Sequence, residues 1–176
     1  VSGNVVPARS GQLMGLAGGK QTAFDNVKPL LTKLTRRLEH LGPVGSGAAM
    51  KLAVNLPLMV YWSALGEAVG LAMTKGIDPS MALNILVDSS GAIGAAKKRV
   101  PPILKMLVSN DPGDVSFSLE NAIKDIKLME DLAKTSGSPF GVIDAILVKA
   151  EAAAANGWSN YDNSLVGIHN QAKATL

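Results

Sequence analysis

Lys51 is the residue of this sequence with the strongest chemical interest. It is the only charged side chain between Ala48 and Gly66, and it follows a glycine-rich stretch, Gly42-Pro43-Val44-Gly45-Ser46-Gly47. Asn55 lies four residues later, so a helix through both residues would place them on the same face. Apolar surroundings disfavour the charged form of an ammonium group, and this suits a lysine to proton transfer near neutral pH. The alternative is a lysine whose stem lies on apolar surface while its ammonium reaches water.

Two other pairs of residues could carry chemistry. Ser2-Gly3 could present a hydroxyl and a backbone N–H to a carboxylate at the end of a strand, although Ser-Gly is also an ordinary turn sequence. Lys124-Asp125 lies in a segment with helical spacing. Lys124 could reach a cofactor phosphate or ribose, or the pair could be two exposed charges on a solvated helix face.

Composition argues against several classes of site and partner. The chain has no cysteine, and its histidines, His40 and His169, have no ligand-like spacing, so we expect no metal site. The net charge of +3 is spread thinly without a basic run, so we expect no nucleic-acid partner. The apolar stretch from Ala48 to Leu65 contains polar residues and lacks basic flanks, so we expect a buried helix and no membrane association. The lack of cysteine is compatible with a reducing compartment, and we expect a cytoplasmic protein.

Residues 1–45 predict mixed structure. Val5-Val6, Leu13-Met14-Gly15-Leu16 and Leu38–Leu41 are prone to form strands, and Thr22–Leu34 has helical spacing. The glycines around these strands lack the G-x-G-x-x-G fingerprint of dinucleotide-binding domains, and we expect hairpin turns instead at Gly11, Gly15, Gly18 and Gly19. So few strands cannot bury a core alone, so this region needs a larger sheet to join.

Residues 46–176 predict about six helices with short turns. Gly76 is expected to end a long helix that begins near Ser46, and the last helix is expected over Asn163–Ala174. Three sites have the features of helix starts: Asp78-Pro79, Ser118 and Ser138-Pro139. The predicted fold is therefore mostly α, with an all-α domain over residues 46–176 and a short α/β segment over residues 1–45 before it.

Four segments, taken in order, resemble the β-hydroxyacid dehydrogenase family, which includes 3-hydroxyisobutyrate dehydrogenase, tartronate semialdehyde reductase and the glyoxylate/succinic semialdehyde reductases. Residues 42–55, GPVGSGAAMKLAVN, resemble its catalytic motif G-x-x-G-x-G-x-x-x-K-x-x-x-N. The other segments are Val1-Ser2-Gly3 with Ala8, Gly11, Leu13 and Gly18-Gly19; Glu67-Ala68 with Gly76-Ile77-Asp78; and Phe117 with Lys124-Asp125-Ile126 and Leu128.

The resemblance implies a role for each candidate residue. Lys51 would be the general acid during carbonyl reduction and the general base during hydroxyl oxidation, and Asn55 would orient the substrate or the lysine. The substrate would be a small carboxylate-bearing aldehyde or hydroxyacid, and the cofactor would be NADP or NAD. The substrate-binding residues would be Ser2, Gly3 and Asn4, and the cofactor-binding residues would be Lys124 and Phe117.

The resemblance also implies an architecture. Residues 46–176 would be a helical domain like the C-terminal domain of 6-phosphogluconate dehydrogenase, beginning with a long interdomain helix. Residues 1–45 would be the last part of a Rossmann domain whose other strands, with most cofactor contacts, are expected outside this sequence. The chain is then expected to form homo-oligomers and to turn over little by itself. The alternative is a non-catalytic helical dimerisation module derived from the same family.

Overall fold

The computed structural model describes residues 1–137 and 140–174. By its internal contacts the chain divides into two compact units, Val1–Asn55 and Leu56–Leu176. The division falls inside the longest helix, α3 (Ser46–Met73), which begins at the residue where the sequence predicts it. The predicted helix start at Ser138-Pro139 lies outside the described residues.

The first unit is built around a β-α-β motif. Strands β1 and β2 pair in parallel from Leu13↔Thr35 to Ala17↔His40, with an irregularity between Leu13 and Met14. Parallel strands need a crossover connection, which a helix supplies here. The elements are α1 (Val5–Arg9), β1 (Leu13–Ala17), α2 (Gln21–Leu31), β2 (Thr35–His40) and the first turns of α3.

Two expectations for this unit were wrong. Val5-Val6 lies in helix α1 and not in a strand, because the Asn4 side chain accepts a hydrogen bond from the Val6 N–H (3.3 Å) and caps the helix. The glycines do not form a β1–β2 hairpin, because β1 and β2 run parallel. Gly15 instead lies within β1, where a Cβ would come within 2.5 Å of Leu38 Cδ1.

The first unit buries little apolar surface. Residues 1–55 are all described, and Phe24 is the one large apolar side chain among them that is buried. Val6, Val27 and Leu30 are among the large apolar side chains that remain exposed on α1 and α2. A two-stranded sheet with so small a core needs further packing to be stable.

The second unit is helical, as predicted. Asp78 caps α4 by accepting hydrogen bonds from the N–H groups of Ser80 and Met81, and Gly76 adopts a left-handed φ of 74° after α3. Its elements are the rest of α3, α4 (Pro79–Asp88), a 3-10 turn (Ala96–Arg99), α5 (Val100–Ser109), α6 (Leu119–Ser136), α7 (Gly141–Ala153), a π-helical turn (Ala154–Trp158), a 3-10 segment (Asn163–Ile168) and α8 (His169–Ala174). The predicted final helix is therefore divided into a 3-10 segment and a short α-helix.

The core of the second unit includes one face of α3. Met59, Trp62, Leu65 and Val69 recur at three- and four-residue spacing, and all four are buried. Helix α3 is long and apolar enough to cross a membrane, but the core helices of soluble proteins often share that length and composition. The largest fully buried side chains of this unit are Val69, Leu83, Ile103, Leu119, Ile126, Leu165 and Ile168.

Candidate active site

Lys51 and Asn55 form a hydrogen-bonded pair one turn apart on α3. The Lys51 Nζ donates to the Asn55 Oδ1 at 2.8 Å. Asn55 is buried and Lys51 is half-buried, so the amide holds the ammonium group at a defined place beside the helix. The spacing of the two residues predicted this shared face. A lysine held in this way can give a proton to a bound group or take one from it.

Glycines allow the start of α3 to lie directly against the end of β1. A Cβ at Gly18 would come within 2.6 Å of the Pro43 carbonyl oxygen, and one at Gly47 would overlap the Leu16 carbonyl oxygen. The Leu41 N–H also donates to the Ala17 carbonyl at 2.8 Å. The glycine-rich loop thus places the amino-terminal end of α3 beside the carboxyl ends of parallel strands, where open α/β sheets bind their ligands.

His40 and Phe24 support this loop, a role that no motif in the sequence indicates. The His40 Nε2 lies 2.8 Å from the Gly19 carbonyl oxygen, and its ring stacks on Phe24 with centroids 4.8 Å apart. The Gly19 N–H donates to the Gly42 carbonyl at 2.8 Å. Because the partners of His40 are far away in sequence, no local pattern could have revealed the contact.

Ser2, Gly3 and Asn4 make structural contacts at the start of the chain. Ser2 pairs with Met14 in an antiparallel bridge, with N–H to O distances of 2.8 and 2.9 Å. Gly3 has a φ of 133°, which favours glycine, and Asn4 caps α1. The main-chain N–H of Ser2 is therefore used by β1. Substrate binding by these three residues stays a prediction.

Phe117 and Lys124 lie in the second unit, near the start of α6. Phe117 is half-buried and directly precedes Ser118, whose hydroxyl caps the helix. Lys124 is exposed, and its Nζ lies 3.5 Å from the Asp125 Oδ1. Of this charged pair only Lys124 is exposed, because the Asp125 side chain is 15% exposed. Contact between these residues and a cofactor stays a prediction.

Asp162 forms a buried hydrogen-bond network that no sequence motif indicates. Its side chain is 3% exposed. The Oδ2 accepts from the Ser116 N–H (2.8 Å), the Ser116 hydroxyl (2.9 Å) and the Phe117 N–H (3.3 Å). The Oδ1 accepts from the Ser164 N–H (3.0 Å) and hydroxyl (2.7 Å), and the Arg99 guanidinium lies 3.6 Å from Oδ2. The carboxylate therefore joins segments that are more than 40 residues apart in sequence.

These contacts hold the Asp162 carboxylate in its charged form. Desolvation raises the pKa of Asp162, but the hydrogen bonds from Ser164 and Ser116 and the charge of Arg99 outweigh it and lower the pKa below the ordinary value of 3.8. A group whose pKa is lower in the folded state stabilises the fold above its unfolded pKa. That contribution is lost as the pH falls through the folded value.

We therefore expect Asp162→Asn to destabilise the chain in a pH-dependent way. Near pH 7 the loss in unfolding free energy should be about 2–3 kcal/mol, since hydrogen bonds to a charged acceptor are lost. The difference between variant and wild type should shrink as the pH falls below 3.8, because the carboxylate of the unfolded wild type then takes up a proton before the folded one, whose pKa is lower. Urea unfolding of both proteins from about pH 7 to pH 3 measures this. A difference that stays constant over that range would contradict the assignment of a charged Asp162.

The described residues contain no group of three or more His, Cys, Asp or Glu side chains that could hold a metal ion.

Two family sequence models match the chain in succession. The model described as the NAD-binding domain of 6-phosphogluconate dehydrogenase matches residues 1–42. The model described as NAD-binding of NADP-dependent 3-hydroxyisobutyrate dehydrogenase matches residues 45–167, which is more than half of the chain.

Curated relatives agree with these matches. The chloroplastic glyoxylate/succinic semialdehyde reductase 2 of Arabidopsis thaliana is 30% identical over 168 residues, which cover 94% of this chain and 45% of the relative. The mitochondrial 3-hydroxyisobutyrate dehydrogenase of Homo sapiens is 31% identical over 142 residues, which cover 80% of this chain and 42% of the relative. The chain thus spans less than half the length of these relatives.

Solved structures share the fold. The 3-hydroxyisobutyrate dehydrogenase of Salmonella typhimurium superposes with a TM-score of 0.80 at 25% identity, covering 94% of this chain and 56% of that one. The Mycobacterium tuberculosis 3-hydroxyisobutyrate dehydrogenase, solved with L-serine, gives a TM-score of 0.79 at 26% identity, covering 96% and 58%. With the family models, these likenesses confirm the resemblance drawn from the four sequence segments. The chain belongs to the β-hydroxyacid dehydrogenase family, a family of NAD(P)-dependent hydroxyacid dehydrogenases.

Proposed function

We propose that this chain is the substrate-side part of an NAD(P)-dependent oxidoreductase that interconverts a small β-hydroxyacid and its semialdehyde. The observation that carries the proposal is the Lys51–Asn55 hydrogen bond of 2.8 Å, made on the helix that begins with the glycine-rich loop. This hydrogen bond supports the role of Lys51 as the group that exchanges a proton with a substrate oxygen.

In this proposal Lys51 carries the proton chemistry. During reduction the Lys51 Nζ gives a proton to the carbonyl oxygen, and during oxidation it takes the proton of the hydroxyl. Asn55 keeps the Nζ in place through its Oδ1, so the proton donor does not have to be ordered in each turnover. Ser2, Gly3 and Asn4 bind the carboxylate of the substrate.

A nicotinamide cofactor, NADP or NAD, would supply or accept the hydride when bound. The residues of this chain fit part of such a cofactor, since Lys124 is an exposed ammonium that complements phosphate and Phe117 offers a half-buried ring. The chain lacks the G-x-G-x-x-G fingerprint, so most cofactor contacts would come from a nucleotide-binding half on the amino-terminal side of Val1. The exposed apolar side chains of α1 and α2 are compatible with such a half packing there.

The protein would act as a homo-oligomer in the cytoplasm, without a nucleic-acid or membrane partner. Large apolar side chains remain exposed in the second unit, including Leu71, Met81 and Ile85, and surface of this kind is typical of subunit contacts.

The decisive experiment compares this chain with a completed protein. The completed protein carries a nucleotide-binding half ahead of Val1, either its natural one or that of the Arabidopsis relative. Oxidation of NADH and NADPH is followed with glyoxylate, succinic semialdehyde and similar short semialdehydes, and the nucleotide-binding half alone is the control. We expect turnover by the completed protein and little by either half. A completed protein that is folded and binds the cofactor, yet reduces none of these aldehydes, would overturn the proposal.

A further inference from the structure

We propose that Asp162 is a positioning residue that fixes the backbone of Phe117 and the start of α6, and through them the cofactor-side residues Phe117 and Lys124. The inference rests on the proposed function, because only a bound nicotinamide cofactor gives the placement of these residues a catalytic consequence. Nothing in the family motifs described above includes Asp162.

The Asp162 carboxylate has a fixed orientation. Its Oδ2 accepts from two consecutive N–H groups, those of Ser116 and Phe117, while its Oδ1 accepts from the Ser164 N–H and hydroxyl. Since both oxygens are engaged on different segments, the carboxylate cannot rotate without breaking bonds to one of them. At 3% exposure there is little water to replace those bonds.

Phe117 is held through both its main-chain N–H and its carbonyl. Its N–H donates to Asp162, and its carbonyl accepts from the Asn163 N–H at 2.8 Å. The next residues continue the attachment, because the Leu119 N–H donates to the Tyr161 carbonyl and the Glu120 N–H to the Ser159 carbonyl, both at 2.9 Å. The main chain from residue 116 to residue 120 is thus joined to residues 159–163, and Asp162 is the only side chain among these bonds that reaches Phe117.

Lys124 is connected to this attachment through the first turn of α6. Ser118 caps α6 immediately after Phe117, so the axis of the helix starts from the residues that Asp162 holds. Lys124 lies on the exposed face, and a rigid helix transmits the placement of its first turn to that side chain. A shift of the Phe117 segment would therefore move both predicted cofactor contacts together.

The donors around residue 162 explain why it is an aspartate. Ser116, Phe117 and Ser164 all present donors to Asp162, and Arg99 adds a cation. A carboxylate accepts at both oxygens, whereas an asparagine would turn an NH₂ group toward donors in either orientation of its amide. Asp162→Asn preserves the size of the side chain and removes this match, so it is the informative substitution.

The test has two measurements. In this chain, amide hydrogen exchange followed by NMR should show that protection of the Phe117 N–H falls by about tenfold or more in Asp162→Asn, since a charge-assisted bond is lost. In the completed protein, KM for NAD(P)H should rise by about tenfold while KM for the aldehyde changes less than about twofold. The matched control is Asp78→Ala, which removes the aspartate cap of α4 and leaves the residues that Asp162 contacts unchanged. It should lower stability and leave both KM values unchanged.

Several results would overturn the proposal. They are an unchanged exchange rate at Phe117, an unchanged KM for NAD(P)H despite faster exchange, and an equal rise in KM for Asp78→Ala, which would reveal a general effect of stability. If Asp162→Asn does not fold, Ser116→Ala removes one bond to the same oxygen and should raise KM for NAD(P)H by a smaller factor. No rise in that variant would also overturn the proposal.

Failure of the proposed function gives a different result. A wild-type completed protein that binds no nicotinamide cofactor would end the proposed function and the cofactor part of this inference together. The exchange measurement needs no cofactor, so it would still decide whether Asp162 fixes Phe117.

Discussion

Lys51→Ala should lower kcat of the completed protein by about 10²–10⁴-fold at neutral pH, the range that general acid–base catalysis supplies. Hydride addition to a carbonyl creates an alkoxide, and without the Lys51 ammonium the nearest proton source would be water. Asn55 would remain buried on α3, but its amide is too weak an acid to replace the ammonium group. Steady-state rates of aldehyde reduction at saturating NAD(P)H measure the effect.

Two further variants identify what Lys51 contributes. Lys51→Arg keeps a positive charge but holds its proton too tightly to donate it near neutral pH, so it should be nearly as slow as Lys51→Ala if proton transfer is the role. If charge alone mattered, Lys51→Arg would keep most of the activity. Lys75→Ala, at an exposed lysine beyond the end of α3, is the matched control and should keep the wild-type rate. Full activity in Lys51→Ala would exclude Lys51 as the proton donor.

The sequence predicted best those features that depend on residues close together along the chain. The four-residue spacing of Lys51 and Asn55 gave their common face, and Asp78 and Ser118 gave the helix starts where they occur. Local chemistry also explains the error at Val5-Val6, since the β-propensity of two valines was weaker than the cap supplied by Asn4.

Other features had no local signal. Asp162 bonds to Ser116 across 46 residues, and His40 approaches Gly19 across 21, so neither contact leaves a pattern in a short window. Gly18 and Gly47 allow two backbone segments to approach closely. That approach depends on the parallel pairing of β1 and β2, which the local sequence does not show. The hydrogen bond between Lys51 and Asn55 was therefore predictable from the sequence, and the Asp162 network at the start of α6 was not.

The 3-10 segment Asn163–Ile168 contacts α3 through a pair of glycines in the second unit. A Cβ at Gly66 would overlap the main chain of Gly167, and a Cβ at Gly167 would overlap the Trp62 carbonyl oxygen and come within 2.8 Å of the Gly66 nitrogen. Asp162 caps the same segment at its start. The segment is thus fixed by a carboxylate at one end and by a backbone contact with α3 near the other, and the second contact requires two glycines.

Gly66→Ala and Gly167→Ala should each lower the unfolding free energy by about 3 kcal/mol, the upper range for overpacking a filled site. The sign is informative for Gly66, because alanine inside a helix is intrinsically better than glycine by about 1 kcal/mol, and the overlap with Gly167 has to exceed that gain. Gly70→Ala is the matched control one turn along α3. There the three atoms nearest to a Cβ all belong to the side chain of Gln171, whose amide nitrogen donates to the Gly66 carbonyl at 3.1 Å. Moving that side chain costs one hydrogen bond, about 1 kcal/mol, so the loss should be smaller than for a clash between two backbones. Urea unfolding of the three variants and the wild type measures the difference. A Gly66→Ala protein as stable as wild type would show that the backbones of Gly66 and Gly167 are farther apart than this packing requires.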